Sequence, residues 1–430
     1  LQHRIALGTR HQIRLLMRLS GLIQVVILLA SGLGLTQCGS TQQADPSPHA
    51  DHDLATNGHL VFYLSDSVEV RVPGLRHERG MSLYNGDERI ELQSLNDTCY
   101  LVPVFDGTLC LDAQGVGEWT DVLRPSNDPY TIDAQWFDTT PNTLARPGWD
   151  TEETWRLTFG TDNPWFGDLV LKRSHQGQLR GTIETATGDF RFLHGDSGDN
   201  VLNLQTFDGA HLFHFRANTG IKDSLFEGVF SSGSHYATTF TAHLKNDTDA
   251  PLAAGKQAAW TQLPITYAGV DLNGDSTRWA WANTDSVVHV LSIMGSWCPN
   301  CMDEHRLLVG LMDANPNMRV HTLAFERGLD RKNGQNAALN RLKQYSKSMG
   351  LSGFSDRWTV TLVGPASKKQ AQELLPFLDK VVSFPTSVVL HPGADGPWIH
   401  SGFNGPATGV KYGLERTRFS AAISGSQESH

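Results

Sequence analysis

Val287-Val-His-Val-Leu-Ser-Ile-Met-Gly-Ser-Trp-Cys-Pro-Asn-Cys301 is the stretch around which the rest of the chain is organised. Its first seven residues form a short apolar run rich in β-branched side chains, the pattern of a strand buried on both faces. From Cys298 to Met312 the periodicity becomes that of an amphipathic helix. Cys298 therefore stands at a strand-to-helix corner. There, unsatisfied backbone N–H groups and the positive end of the helix dipole favour a thiolate. Cysteines in such motifs have a pKa lowered from ~8.5 to roughly 3.5–7.5. Cys301 lies one turn further on, within bonding reach and more buried, and Pro299 suits the first helical position. The pair predicts thiol–disulfide exchange, with a mixed disulfide on Cys298 that Cys301 resolves. A zinc ribbon would need a second ligand pair, and Cys99 and Cys110 are distant and too widely spaced. No metal is expected, and no cofactor beyond the redox-active disulfide Cys298-Cys301.

Downstream of this corner, strand-like runs at Val320 to Phe325, Trp358 to Val363, Ser387 to Leu390 and near Trp398 to Gly402 alternate with helical stretches at Gln335 to Met349 and Ser367 to Lys380. That alternation predicts an α/β sheet covered by helices over residues 263–420, with a tail at 421–430. Upstream, 245–262 is polar and Ala-rich and reads as a linker. Residues 58–244 carry short alternating runs such as Val68-Glu-Val-Arg-Val72, with Asn85-Gly86, Asp106-Gly107 and Asp208-Gly209 as hairpin turns between them. This predicts an all-β domain, barrel or sandwich. Asp271-Leu-Asn-Gly-Asp275 opens like a calcium loop but lacks the later glutamate, and reads as a hairpin turn.

Three separated motifs, Gly295-Ser-Trp-Cys-Pro-Asn-Cys-Met-Asp-Glu304, Ser383-Phe-Pro-Thr-Ser-Val-Val-Leu390 and Gly402-Phe-Asn-Gly-Pro406, together resemble the TlpA/ResA-like branch of thioredoxin-fold disulfide reductases. The resemblance implies a two-domain chain, the all-β part followed by an α/β thioredoxin-like domain. It implies that Pro385 is a cis proline facing the cysteines, and that Phe384 offers backbone groups to a substrate strand. Trp297, Pro299 and Asn300 complete the motif. It also implies a proton-relay role for Glu304, which shares a helical face with Cys301, Leu308 and Met312; the other reading is a solvated acid favoured by the helix dipole. Thioredoxin has a buried aspartate six residues before its first cysteine; Ser292 occupies that place here, leaving Glu304 as the nearby acid. Strongly oxidising relatives carry a histidine between the cysteines, and Asn300 is not one. Part of the β region, Thr185-Ala-Thr-Gly-Asp-Phe-Arg-Phe192, loosely resembles the domain preceding the redox module in related lipoproteins, which assigns it no chemistry.

Hydrophobic residues at 39% and charged residues at 19% describe an ordinary globular chain. Residues 1–37 carry Arg4, Arg10, Arg14 and Arg18, no acid, and an apolar stretch from Leu19 to Leu35, which reads as a signal peptide. Leu35-Thr-Gln-Cys38 resembles a bacterial lipobox with Cys38 as the lipidated residue; an uncleaved anchor and an unlipidated signal are the alternatives. Each puts the folded part in the periplasm or cell envelope, tethered through 38–57. The net charge of −10 falls to −14 without the four leader arginines, which disfavours nucleic acid as a partner. His49, His52 and His59 read as part of a solvated tether. Cys99 and Cys110 flank a turn: a two-residue turn at Asp106-Gly107 would place them four positions out of register, so a structural disulfide needs another pairing. The expectation is an envelope thiol–disulfide oxidoreductase that reduces client proteins, recharged by a membrane electron donor. The alternatives are a thiol-dependent peroxidase, although Gly295 stands where that chemistry needs threonine, and a binding lipoprotein with a secondary redox pair.

Overall fold

The computed structural model describes residues 56–122, 130–139, 148–198, 200–222, 225–252, 257–282 and 286–426. All of them fall in one unit, Asp51–His430. The expected leader, Cys38, His49 and His52 lie outside the described residues.

Alternation in the first runs closes a barrel. Strands β1 (Thr56–Ser65), β2 (Val68–His77), β3 (Gly80–Asn85), β4 (Glu88–Ser94), β5 (Cys99–Val102), β6 (Gly107–Leu111), β7 (Val116–Asp121) and β8 (Tyr130–Asp138) pair in sequence, and β8 returns to β1. On β2, Val70 and Val72 are buried while Glu69 and Arg71 face solvent, as period-two patterning requires. His59 lies on β1 rather than in a tether.

The next strands are β9 (Thr151–Phe159), β10 (Trp165–Arg173), β11 (Gln178–Thr185), β12 (Gly188–Asp189), β13 (Leu193–Gly198), β14 (Val201–Phe207), β15 (Leu212–Lys222), β16 (Leu225–Ser232) and β17 (Tyr236–Leu244). They run in the order β10-β9-β17-β16-β15-β14-β13-β11-β12, and a β10–β11 pairing closes this sheet as well. Its core is aromatic, with the Phe159 ring in contact with Phe215, Phe230 and Phe240.

The third sheet comprises β18 (Thr266–Asp271), β19 (Ser276–Ala280), β20 (Val288–Met294), β21 (Met318–Glu326), β22 (Trp358–Pro365), β23 (Thr386–Leu390) and β24 (Trp398–Ser401), ordered β19-β18-β22-β21-β20-β23-β24. Only β20–β21 and β21–β22 are parallel; antiparallel hairpins form both edges. The helices are α1 (Pro299–Met312), α2 (Gly334–Ser348), α3 (Lys368–Leu374) and α4 (Val410–Ser424).

The expected two-domain division, one all-β body followed by an α/β thioredoxin-like domain, is overturned. Strands make up most of the regular structure of the chain as a whole, and the four α-helices among the described residues all follow β20. The β region is two closed sheets, because alternation specifies which face is buried but not which strands share a core. Nor are the parts separate. Phe207 and Leu212 of the second sheet fill the first barrel, and Val104, in the β5–β6 loop, joins the core holding Cys298 and Cys301.

Smaller expectations are corrected too. The 367–380 helix ends at Leu374, and a further helix, α4, runs past residue 420. In the expected linker, Ala258 is buried and Gln257 exchanges hydrogen bonds with Ser401. The β5–β6 connection spans residues 103–106, not two residues, so Cys99 and Cys110 are direct register partners. As expected, Asp271 to Asp275 is a hairpin turn, closed by Asn273 and Asp275 N–H groups on the Asp271 carboxylate. Among the described residues no helix is long and apolar enough to cross a membrane.

Candidate active site

β20 is buried along its whole length and ends at Met294. Only a glycine fits next, since a Cβ on Gly295 would lie 2.2 Å from Trp297 Nε1. The Trp297 indole donates to the Phe325 carbonyl at 2.9 Å and stands edge-on to Phe384, which fixes the turn. Cys298 is then the N-cap of α1, its sulfur accepting from the Cys301 N–H at 3.2 Å, and Pro299 occupies the first turn, where no donor is needed. Cys298 keeps 7% of its surface exposed and Cys301 none. The two are joined as a disulfide. Cys298 Sγ lies 3.5 Å from the Phe384 carbonyl oxygen, and the Phe384–Pro385 peptide is cis. The structure thus brings Cys298, Cys301, Phe384, Pro385 and Trp297 together.

Glu304 sits one turn beyond Cys301 and is fully buried. Burial pushes its carboxyl up to about 7, against the opposing pull of hydroxyls from Ser292 and Ser387. Ser292 Oγ donates to Glu304 Oε1 at 2.6 Å. The serine that replaces an acid in sequence is thus the partner of the acid that remains. Glu304 is not the only buried acid at the corner, which corrects the sequence reading. Glu326, at the end of β21, accepts from both the N–H and the hydroxyl of Ser296 at 2.8 Å. Burial raises its carboxyl, and Arg341 opposes that from 3.4 Å. A signal was available: Glu326 directly follows the apolar run Val320 to Phe325, in the parallel neighbour of the cysteine-bearing strand.

Asn300 meets a different surface. Its amide donates to the Asp189 carbonyl at 3.2 Å and the Phe403 carbonyl at 3.4 Å, where Gly188 and Phe403 form a bridge between the second closed sheet and the Gly402–Pro406 segment. Beside it, Arg191 is buried between two acids. Its guanidinium donates to Asp303 Oδ2 at 2.5 Å, to Glu88 Oε1 and to the Pro299 carbonyl at 3.0 Å. Asp189 accepts from the Arg191 and Gly405 N–H groups at 2.6 Å, and burial pushes its carboxyl up to about 7. One arginine from the β12–β13 connection thus ties β4 of the barrel to Pro299 and Asp303 at the start of the cysteine-bearing helix. Nothing in Thr185 to Phe192 alone signals this junction. Partners at 88, 191 and 303 leave no periodic trace that would have exposed the junction.

No family model matches the chain, and no curated protein matches it. Solved structures similar to part of it are thiol–disulfide oxidoreductases. A secreted Mycobacterium tuberculosis disulfide oxidoreductase homologous to E. coli DsbE is 15% identical, over 37% of this chain and 95% of its own, at a TM-score of 0.24. A thiol:disulfide interchange protein of the thioredoxin family from Chlorobium tepidum is 14% identical, over 40% and 97%, at 0.25. StoA from Bacillus subtilis is 18% identical, over 36% and 98%, at 0.23. At these values the likenesses assign no site residue. They leave most of the chain unmatched.

Proposed function

We propose that the chain reduces disulfides in client proteins through Cys298 and Cys301, as a member of the TlpA/ResA-like group working in the cell envelope. The observation that carries this is the placement of the sulfurs: Cys298 at a helix N-terminus beside the Phe384 carbonyl, Cys301 fully buried one turn on. In the reduced pair the Cys298 thiolate attacks a client disulfide. A bond forms between Cys298 and one client sulfur, and the other client sulfur leaves as a thiol. Cys301 then loses its proton and attacks Cys298 Sγ, which re-forms the Cys298–Cys301 disulfide and releases the second client thiol. Two electrons pass to the client, and a dithiol donor at the membrane restores the pair. Glu304 is the base for the Cys301 proton, because a thiol in that apolar pocket does not ionise readily. The Phe384 backbone pairs with the client segment, Pro385 holds that edge beside the sulfurs, and Cys38 supplies the lipid anchor.

An insulin-reduction assay with catalytic dithiothreitol tests the activity. The protein should accelerate precipitation of the insulin B chain well beyond dithiothreitol alone, and the Cys298→Ala variant should not. Equal rates with and without the protein would reject the reading.

A further inference from the structure

Behind Glu304 runs a line of polar groups that the exchange reaction does not itself use. Tyr345 on α2, His305 on α1, Ser292 on β20 and Glu304 have no exposed surface. The Tyr345 hydroxyl is 2.7 Å from His305 Nδ1, His305 Nε2 is 3.0 Å from Ser292 Oγ, and Ser292 Oγ is 2.6 Å from Glu304 Oε1. Proton counting orients the line. An ionised carboxylate only accepts, so Ser292 must donate its single proton to Glu304. His305 Nε2 must then be the N–H that donates to Ser292. That leaves Nδ1 bare, and the Tyr345 hydroxyl donates to it. Burial lowers the imidazole pKa to about 3, so His305 stays neutral and one tautomer holds.

We infer that His305 and Tyr345 are positioning residues that lock the Ser292 hydroxyl onto Glu304 and so keep this carboxylate usable as a base. The inference rests on the proposed role of Glu304 and extends it to three groups that touch neither sulfur. The mechanism is competition for one proton. Without the Tyr345 hydroxyl the imidazole is free to take the Nδ1–H tautomer, and its bare Nε2 then draws the Ser292 proton away from Glu304. A buried carboxylate that loses a donor is harder to ionise. The other groups facing Glu304 are Ser387 on β23, Cys301 one turn back, and the His400–Glu415 pair of β24 and α4, joined at 2.9 Å. They are unchanged in the variants below.

The test follows the decay of a preformed Cys298 mixed disulfide by stopped flow from pH 5.5 to 9, on the full chain, with thermal unfolding as a check on folding. In wild type the rate should rise through a midpoint that disappears in Glu304→Gln. Tyr345→Phe and Ser292→Ala should each retain a midpoint but move it up by about 1–2 pH units, the worth of one hydrogen bond to a carboxylate. The rate at the alkaline plateau should stay at the wild-type value. A purely structural role would lower the plateau and leave the midpoint in place. An unmoved midpoint in both variants overturns the inference while leaving Glu304 as the base. A wild-type profile unaffected by Glu304→Gln overturns the proposed base itself. Isotope-edited infrared titration of the Glu304 carboxylate gives the same midpoints without turnover.

Discussion

The molecule holds two cysteine pairs in opposite settings. Cys99 and Cys110 face each other across β5 and β6, in a ladder whose backbone groups are already paired. No helix begins there to stabilise a thiolate. Cys298 and Cys301 occupy a helix start, with the Phe384 carbonyl beside Cys298 and the buried acid Glu304 one turn beyond Cys301. On the proposed function, local backbone geometry separates a staple from a reagent, since the thiolate fraction depends on the groups around the sulfur. The two are still connected. The hairpin closed by Cys99 and Cys110 carries Val104, at φ 74, into the core around Cys298 and Cys301. That left-handed conformation is costly for a β-branched residue, and the packing around it holds it in place.

The largest effect is expected where the regions join. Arg191→Met leaves Glu88 and Asp303 buried without their shared cation, a loss of about 3–5 kcal/mol in stability. Denaturant unfolding measures it, and the loss should shrink in acid as the orphaned Glu88 carboxyl, already pushed up by burial, protonates. An unchanged midpoint would mean that the barrels and the cysteine-bearing helix are not energetically coupled there.

Next comes the staple itself. The Cys99→Ala, Cys110→Ala double variant should lose roughly 2–4 kcal/mol, the usual worth of a disulfide closing a short loop. Insulin reduction should stay close to wild type. A large fall in rate with stability preserved would erase the distinction between the two pairs.

Glu304→Gln sharpens the comparison from the reactive side. Near pH 7 turnover should fall by roughly 10–100-fold and recover as hydroxide replaces the base. Stability should move the other way. The folded carboxyl titrates at about 7 against an ordinary 4.5, so the folded state binds the proton more tightly. Its contribution is therefore full below the unfolded value and lost as pH rises through the folded one. The variant should gain stability over wild type at pH 8 and gain none at pH 4, read from paired denaturant midpoints.

What the sequence disclosed follows the range of the interactions. The cysteine corner was legible because a buried strand, a Cys-Pro-Asn-Cys segment and a helix are consecutive. Glu304 was legible because a helical face can be counted. The division into two closed sheets was not, since Val70 or Phe215 shows only that it points inward, never into which barrel. Helix α4 was overlooked because its apolar residues form a weak stripe, with Val410 and Leu414 exposed. The Cys99–Cys110 register failed on loop length: four residues, not two, connect β5 to β6. The polar line from Tyr345 to Glu304 joins three separate elements, so only the folded chain assembles it.

The central claim is that Cys298 is the attacking sulfur and Cys301 the resolving one. Cys301→Ala and Cys298→Ala variants, each incubated with a disulfide-bonded client, quenched in acid and analysed by intact-mass spectrometry, test it most directly. The account predicts a stable adduct on Cys298 in Cys301→Ala and no adduct in Cys298→Ala. Equal adducts in both variants, or an adduct only in Cys298→Ala, would contradict it.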